Sequence, residues 1–326
     1  MVARAAAVAM LCAALWTGQR ITAQTNGQKA EEITERIVQV QTKDDIADSG
    51  ALFNPPKNIA KPTAVIWIHG AGVNFYSPTY LTISRNLAKR GFTVITGNTR
   101  MHDLGNVEAW RGDKRIRGGM YWGVPSEQVR DIAAWIDFAE GLGFKQVILV
   151  GHSAGANAAR EYQAQTQDPR VVGLVLASGD VGPDTRVPPS EWISTAKQDI
   201  ADGRPEELVQ GPFMSAATFL DIVNRPPRFK DFFGELSADA GVARIRCPLL
   251  AILGTDGDVG NEEDLKRIKS STERLPTHPS RFDTALIQGA GHMYDGHEDR
   301  AAQIIANWAD TLPSADSEKG ELPNRP

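Results

Sequence analysis

Ser153 lies in Gly151-His152-Ser153-Ala154-Gly155, behind the apolar run Val147-Ile148-Leu149-Val150 and ahead of the small residues Ala156, Ala158 and Ala159. That order reads as a buried parallel strand, a sharp turn and a helix, the setting in which a Gly-x-Ser-x-Gly serine offers its hydroxyl as a nucleophile. The two glycines suit a turn so tight that side chains beside the serine would collide with the crossing strand and helix. Three fixed positions are a weak signal alone, and the plain alternative is a serine in an ordinary strand-to-helix loop.

A serine hydroxyl attacks a carbonyl only when a neighbouring base takes its proton and a carboxylate orients that base. For the base, His292 in Gly289-Ala290-Gly291-His292-Met293 follows the last apolar strand and comes first. His297, five residues on, opens the terminal helix and reads as a solvent-facing helix start. For the carboxylate, Thr255-Asp256-Gly257-Asp258 follows the strand Leu249–Leu253 and offers two candidates. Asp256, directly after the strand, is placed ahead, while Asp258 reads as a cap for the polar segment before Glu262. Asp180 is a third candidate, with a turn role in Ser178-Gly179-Asp180 as its plainer reading. The oxyanion formed in such a reaction needs two converging N–H donors. Ala154 supplies one, and His69-Gly70-Ala71-Gly72 the other, through Ala71 with Gly72 as the alternative. His69 and His152 are read as bracing residues rather than proton carriers.

The elements that must position these residues follow in the order expected of an α/β chain. Ile37–Gln41 alternates like a half-buried edge strand, and Val65-Ile66-Trp67-Ile68 is the first strongly buried one. A helix over 78–90, with Leu81, Ile83, Leu87 and Ala88 inward, leads to the strand at 92–96. Residues 98–121 lack periodicity and read as a long loop at a site rim. Ser126 is expected to cap the next helix, which precedes the strand carrying Ser153. Between the strands at 171–177 and 248–254 lie about 70 residues with short helical patterns and no good strand. They read as a helical cap, about 180–245, over the carboxyl edge of the sheet. The fold class expected is α/β: a single doubly wound, mostly parallel sheet in one domain over 24–312, followed by a disordered tail at 313–326.

At 326 residues with 41% hydrophobic content, the chain can fill a full core. The net charge of −5 is spread without basic clusters, so the footprint of a nucleic-acid binder is missing and a small-molecule partner is expected. Residues 1–23, with Arg4 ahead of the apolar run Ala5–Trp16, read as an export signal too short to span a bilayer. Cleavage after Ala23 would leave Cys247 as the sole cysteine and no stable membrane insertion.

With His-Gly-Ala-Gly at 69–72, Gly-His-Ser-Ala-Gly at 151–155, Gly-Thr-Asp-Gly-Asp at 254–258 and Gly-Ala-Gly-His at 289–292, the chain resembles the α/β-hydrolase superfamily, serine esterase and lipase type, from about Val65 to Ala309. The resemblance implies an eight-stranded, mostly parallel sheet with one antiparallel pair at its start. It also implies hydrolysis of a carboxylic ester through an acyl-serine intermediate without cofactor or metal. Relatives place the acid three residues after the strand-end glycine, and here Gly257 stands there with an aspartate on each side. An amidase or peptidase using the same residues, and a binding protein without activity on the same fold, are the alternatives. His102-Asp103 reads as part of the site rim rather than a metal pair. Phe75, Tyr76, Trp110, Tyr121 and Trp122 are candidates for lining a substrate pocket.

Overall fold

In the computed structural model, residues 32–111 and 114–313 are described, so the segment expected to be an export signal and the tail expected beyond 313 lie outside the described residues. In chain order the strands are β1 (Thr34–Gln41), β2 (Ala47–Asn54), β3 (Thr63–Ile68), β4 (Thr93–Gly97), β5 (Asn106–Arg111), β6 (Lys114–Gly118), β7 (Gln146–His152), β8 (Val171–Ala177), β9 (Leu208–Val209), β10 (Met214–Ser215), β11 (Leu249–Gly254) and β12 (Phe282–Ile287). The helices are α1 (Pro78–Ala88), α2 (Gln128–Gly141), α3 (Ala154–Thr166), α4 (Ser190–Ala201), α5 (Ala216–Val223), α6 (Pro227–Lys230), α7 (Glu262–Glu273) and α8 (Glu298–Ala309).

Eight strands form one sheet in the order β1-β2-β4-β3-β7-β8-β11-β12. β2 alone runs against the others, pairing antiparallel with β1 and β4, and the rest of the sheet is parallel. β2 escaped the pattern reading because Ala-Asp-Ser-Gly-Ala carries no β-branched run. Its Gly50 is needed, since a Cβ there would sit 2.5 Å from the Thr96 carbonyl oxygen and 2.6 Å from the Trp135 ring. The strand order turns around β3 and β7, where parallel neighbours diverge, and the carboxyl ends of the strands open there.

One face of the sheet packs under α2 and α3, with Ile66, Leu149, Leu174 and Trp135 in its core. The other packs under α1 and α8, with Val65, Val150, Leu87 and Ile305. In α1 the buried positions are Thr79, Tyr80, Ile83, Ser84, Leu87 and Ala88, a stripe at helical spacing that keeps the expected Ile83, Leu87 and Ala88 inward and leaves Leu81 at its margin.

Four local expectations are corrected. The 98–121 segment carries an antiparallel hairpin, β5 with β6. The insertion between β8 and β11 holds α4, α5 and α6 and also a short β9–β10 hairpin, whose two-residue strands are below what periodicity can register. Ser126 does not cap α2: its hydroxyl donates to Asp221 Oδ1 (2.6 Å) and its N–H to Asp221 Oδ2 (2.9 Å), binding the insertion instead. Likewise Asn261, not Asp258, caps α7, in a reciprocal box with Asp264.

Candidate active site

Ser153 joins β7 to α3 at φ 54°, ψ −121°, a left-handed conformation that a serine adopts only where its surroundings enforce it. The enforcement is visible on both sides. A Cβ on Gly151 would meet the Gly155 carbonyl oxygen at 2.1 Å, and one on Gly155 would meet the His69 carbonyl oxygen at 2.3 Å. The Ser153 N–H donates to the Ala177 carbonyl at the end of β8 (2.8 Å). The strain, about 1–3 kcal/mol for such a residue, is met by the packing of two central strands and a helix.

The loop after β3 lies directly against the serine: a Cβ on Gly70 would come 3.0 Å from Ser153 Cβ. His69 fixes that loop. Its Nδ1 faces the Gly70 carbonyl (2.7 Å) and its Nε2 accepts the Thr99 N–H (3.0 Å), which sets the tautomer. Burial pushes its pKa down to about 4, so it stays neutral and braces the loop. Ala71, Gly72 and Ala154 have N–H groups without a partner among the described residues; Ala154 follows Ser153 in the chain, and Ala71 and Gly72 follow Gly70.

His292 follows β12, and its ring stands 5.1 Å from the His152 ring, edge to face. Its Nδ1 lies 2.8 Å from Asp258 Oδ1, with the N–H not aligned on that oxygen. With the carboxylate at Nδ1, Nε2 is the ring's free acceptor. Asp258 is 82% exposed, so this pair works close to solvent. Asp256 goes elsewhere. Its carboxylate accepts from the Thr255 hydroxyl (3.1 Å) on the surface, while its N–H is tied to Ala290 (3.0 Å). The turn at Gly257, whose amide bonds back to Gly254 (3.2 Å), brings the second aspartate round to the histidine. Asp180 is held on α3, accepting from Asn157 Nδ2 (2.8 Å). His297, expected to face solvent, is half-buried at the start of α8, its Nδ1 3.2 Å from the Asp295 carbonyl oxygen.

The aromatic candidates separate. Phe75 is buried in the core beside Tyr80 and Trp67. Tyr76 is exposed and stacks edge-on against it (5.2 Å). Trp122 is half-buried, donates to the Glu206 carbonyl of the insertion (3.0 Å) and carries Arg117 over its ring (5.1 Å). The Trp110 side chain lies outside the described residues. His102 and Asp103 form a pair (2.8 Å) that Asn74 steadies through Asp103 (2.7 Å), next to the loop after β3.

Residues that pattern reading passed over complete the setting. Tyr80 is fully buried on α1 and hydrogen-bonded to both Gly70 and His152. Ser178 donates its hydroxyl to the His292 carbonyl (2.9 Å), and Tyr294, at φ 62°, donates to the Ile252 carbonyl (2.9 Å). The spacing of Tyr80 with Ile83, Ser84 and Leu87 is the sequence signal that could have found it, but the inner face expected there starts from Leu81 instead.

A mixed sheet with its strained serine at the end of a central strand, followed in the chain by an acidic loop and a histidine loop, defines a hydrolase of the α/β type. The sequence matches the model of the alpha/beta hydrolase family over residues 65–307, and the chain belongs to that family. Over 128 residues it is 30% identical to Phospholipase YtpA of Bacillus subtilis (strain 168), a match covering 39% of this chain and 44% of that protein, so the chain spans less than half of this relative. Among solved structures, Est1E from Butyrivibrio proteoclasticus with ferulic acid bound is similar at TM-score 0.58 and 17% identity, covering 83% of this chain and 98% of that one. The esterase Pf2001 of Pyrococcus furiosus is similar at TM-score 0.57 and 17% identity, covering 86% and 92%. At these identities the structural likeness establishes the fold.

Proposed function

We propose that the protein is a serine hydrolase that cleaves a carboxylic ester through an acyl-serine intermediate. The observation that carries this is the φ of 54° at Ser153, held with the unpartnered N–H groups of Ala71 and Ala154 nearby and the His292–Asp258 pair across the sheet edge. His292 Nε2 takes the Ser153 proton as Oγ bonds to the ester carbon, and the carbonyl oxygen becomes an oxyanion facing the two N–H donors. Collapse of that intermediate breaks the bond to the alcohol oxygen, which leaves with the proton from His292. Water then repeats the sequence and frees the acid. Asp258 steadies the imidazolium, in place of the Asp256 placed ahead on sequence grounds. Gly72 is the alternative second donor.

A small or medium ester is the substrate class proposed, in keeping with the ferulic acid bound to Est1E and the phospholipase name of the partial relative. The insertion between β8 and β11 acts as a cap, with Trp122 at its margin and the exposed Tyr76 after β3 as substrate contacts. Export belongs to the same proposal, on Arg4 and the apolar run Ala5–Trp16, and N-terminal sequencing of secreted protein beginning at Gln24 tests it. For the described residues, no helix is long and apolar enough to cross a membrane.

Ser153→Ala is expected to abolish hydrolysis of a p-nitrophenyl ester and labelling by a fluorophosphonate, with an unchanged circular dichroism spectrum. Retained turnover in that variant overturns the assignment. Matched ester and amide substrates separate an esterase from an amidase, and the ester is expected to be the one turned over.

A further inference from the structure

Tyr80 and His152 have no part in the chemistry just described, yet both are fully buried and stand in one hydrogen-bonded run across the site. The Gly70 N–H donates to the Tyr80 hydroxyl oxygen (3.1 Å). Tyr80 and His152 Nδ1 are 2.8 Å apart, and His152 Nε2 lies 2.9 Å from the His292 carbonyl oxygen. The ends of the run fix every proton in it. A backbone amide can only donate and a carbonyl can only accept, so His152 carries its proton on Nε2 and Tyr80 gives its own to Nδ1. Burial pushes the His152 pKa down to about 4, so the imidazole remains the neutral, two-ended connector this order requires.

The run starts at the loop whose Gly70 touches Ser153 and ends at the backbone of His292. We infer that Tyr80 and His152 are positioning residues that tie the loop after β3 to the His292 loop, holding the oxyanion donors and the base in register on either side of Ser153. This rests on the esterase reading of Ser153 and His292. The Ser178 hydroxyl is a second donor to the same His292 carbonyl, so one carbonyl is gripped from β7 and β8 together. Apolar filling would not need this arrangement: each ring nitrogen of His152 has one partner, and removing the Tyr80 hydroxyl leaves both His152 Nδ1 and the Gly70 N–H unsatisfied.

The test is kinetic, with each kcat divided by the serine that a fluorophosphonate labels at saturation, so that unfolded protein is not counted. A displacement of about 1 Å at a reacting group costs about 10²-fold. Tyr80→Phe and His152→Phe are each expected to lower kcat about 10- to 100-fold with KM within about twofold. The double variant falls no further than the slower single, because the run acts as a unit. His152→Gln keeps one donor and one acceptor at the same separation and is expected to restore kcat to within about fivefold of wild type. Wild-type kcat per labelled serine in Tyr80→Phe, which is near-isosteric and keeps the test open if His152→Phe does not fold, overturns the inference. So does a Gln variant as slow as the Phe one. Failure of the esterase reading shows separately, as activity in Ser153→Ala or a wild-type protein that the probe does not label.

Discussion

Asp256 and Asp258 differ by two positions in the chain and entirely in surroundings, and the difference decides what each can do. Asp258 lies 2.8 Å from His292 Nδ1, whereas the Asp256 carboxylate bonds to Thr255. A buried carboxylate in this role is worth about 10⁴-fold in kcat. Asp258 is largely exposed, and solvent weakens its hold on an imidazolium. Asp258→Asn is therefore expected to lower kcat by about 10²-fold, and Asp256→Asn to leave it within about twofold of wild type, both read in steady-state ester hydrolysis. Equal effects would show that the acid is shared. The turn at Ser153 and the loop of His292 were legible in the sequence because glycines flank them and each follows an apolar strand. Which aspartate lies beside His292 was not, because that depends on a turn: the Gly257 amide bonding back to Gly254 swings the second aspartate, and no local pattern in Thr-Asp-Gly-Asp encodes that swing.

At the scale of elements, the strands that position Ser153 and His292 were readable from hydrophobic runs, since a central parallel strand is buried on both faces and its sequence shows it. β2 and the β9–β10 hairpin were not. β2 owes its place to the space that Gly50 leaves for Trp135, and the hairpin to bonds that reach outside the insertion: the Ser215 N–H to the Tyr121 carbonyl (2.7 Å) and the Thr218 hydroxyl to the Gly123 carbonyl (2.9 Å). Asp221 adds the two bonds to Ser126, so α5 is fastened to the 121–126 loop at three points. A hydrogen bond to a charged group contributes about 1.5–3 kcal/mol, less where solvent reaches it. Asp221→Ala is expected to speed amide hydrogen exchange over Ala216–Val223 about tenfold while β3 and β7 keep their protection. Unchanged exchange in α5 would place the hold of the insertion on its apolar contacts, Val209, Ala216 and Phe219, rather than on this pair.

For the molecule as a whole, the cluster around Arg100 joins the turn between β1 and β2, the loop after β4 and α2. Arg100 bonds Asp131 through Nε and Nη2, Asp44 through Nη1 and Nη2, and Glu127 through Nη1. Burial works against the Asp44 charge, but the hydrogen bonds from Arg100 and Thr42 outweigh it and hold that carboxyl below the usual range. Asp48 has no such help. It is buried on β2 with one carboxylate oxygen unsatisfied, and burial first, then the Asp131 charge beside it, push its pKa well above the usual carboxylate range. A folded pKa above the unfolded one means that stability is full below about pH 4 and declines as pH rises, because the unfolded chain releases a proton that the folded chain retains. Asp48→Asn removes that proton from the balance and gives Asp131 and Asp44 an amide to accept from. The variant is expected to match wild type in thermal midpoint near pH 4 and to exceed it at pH 8, by about 1–3 kcal/mol of stability. Such a gain would identify Asp48 as a carboxyl that folds protonated, and a loss at pH 8 would mean that its charge is needed to balance Arg100.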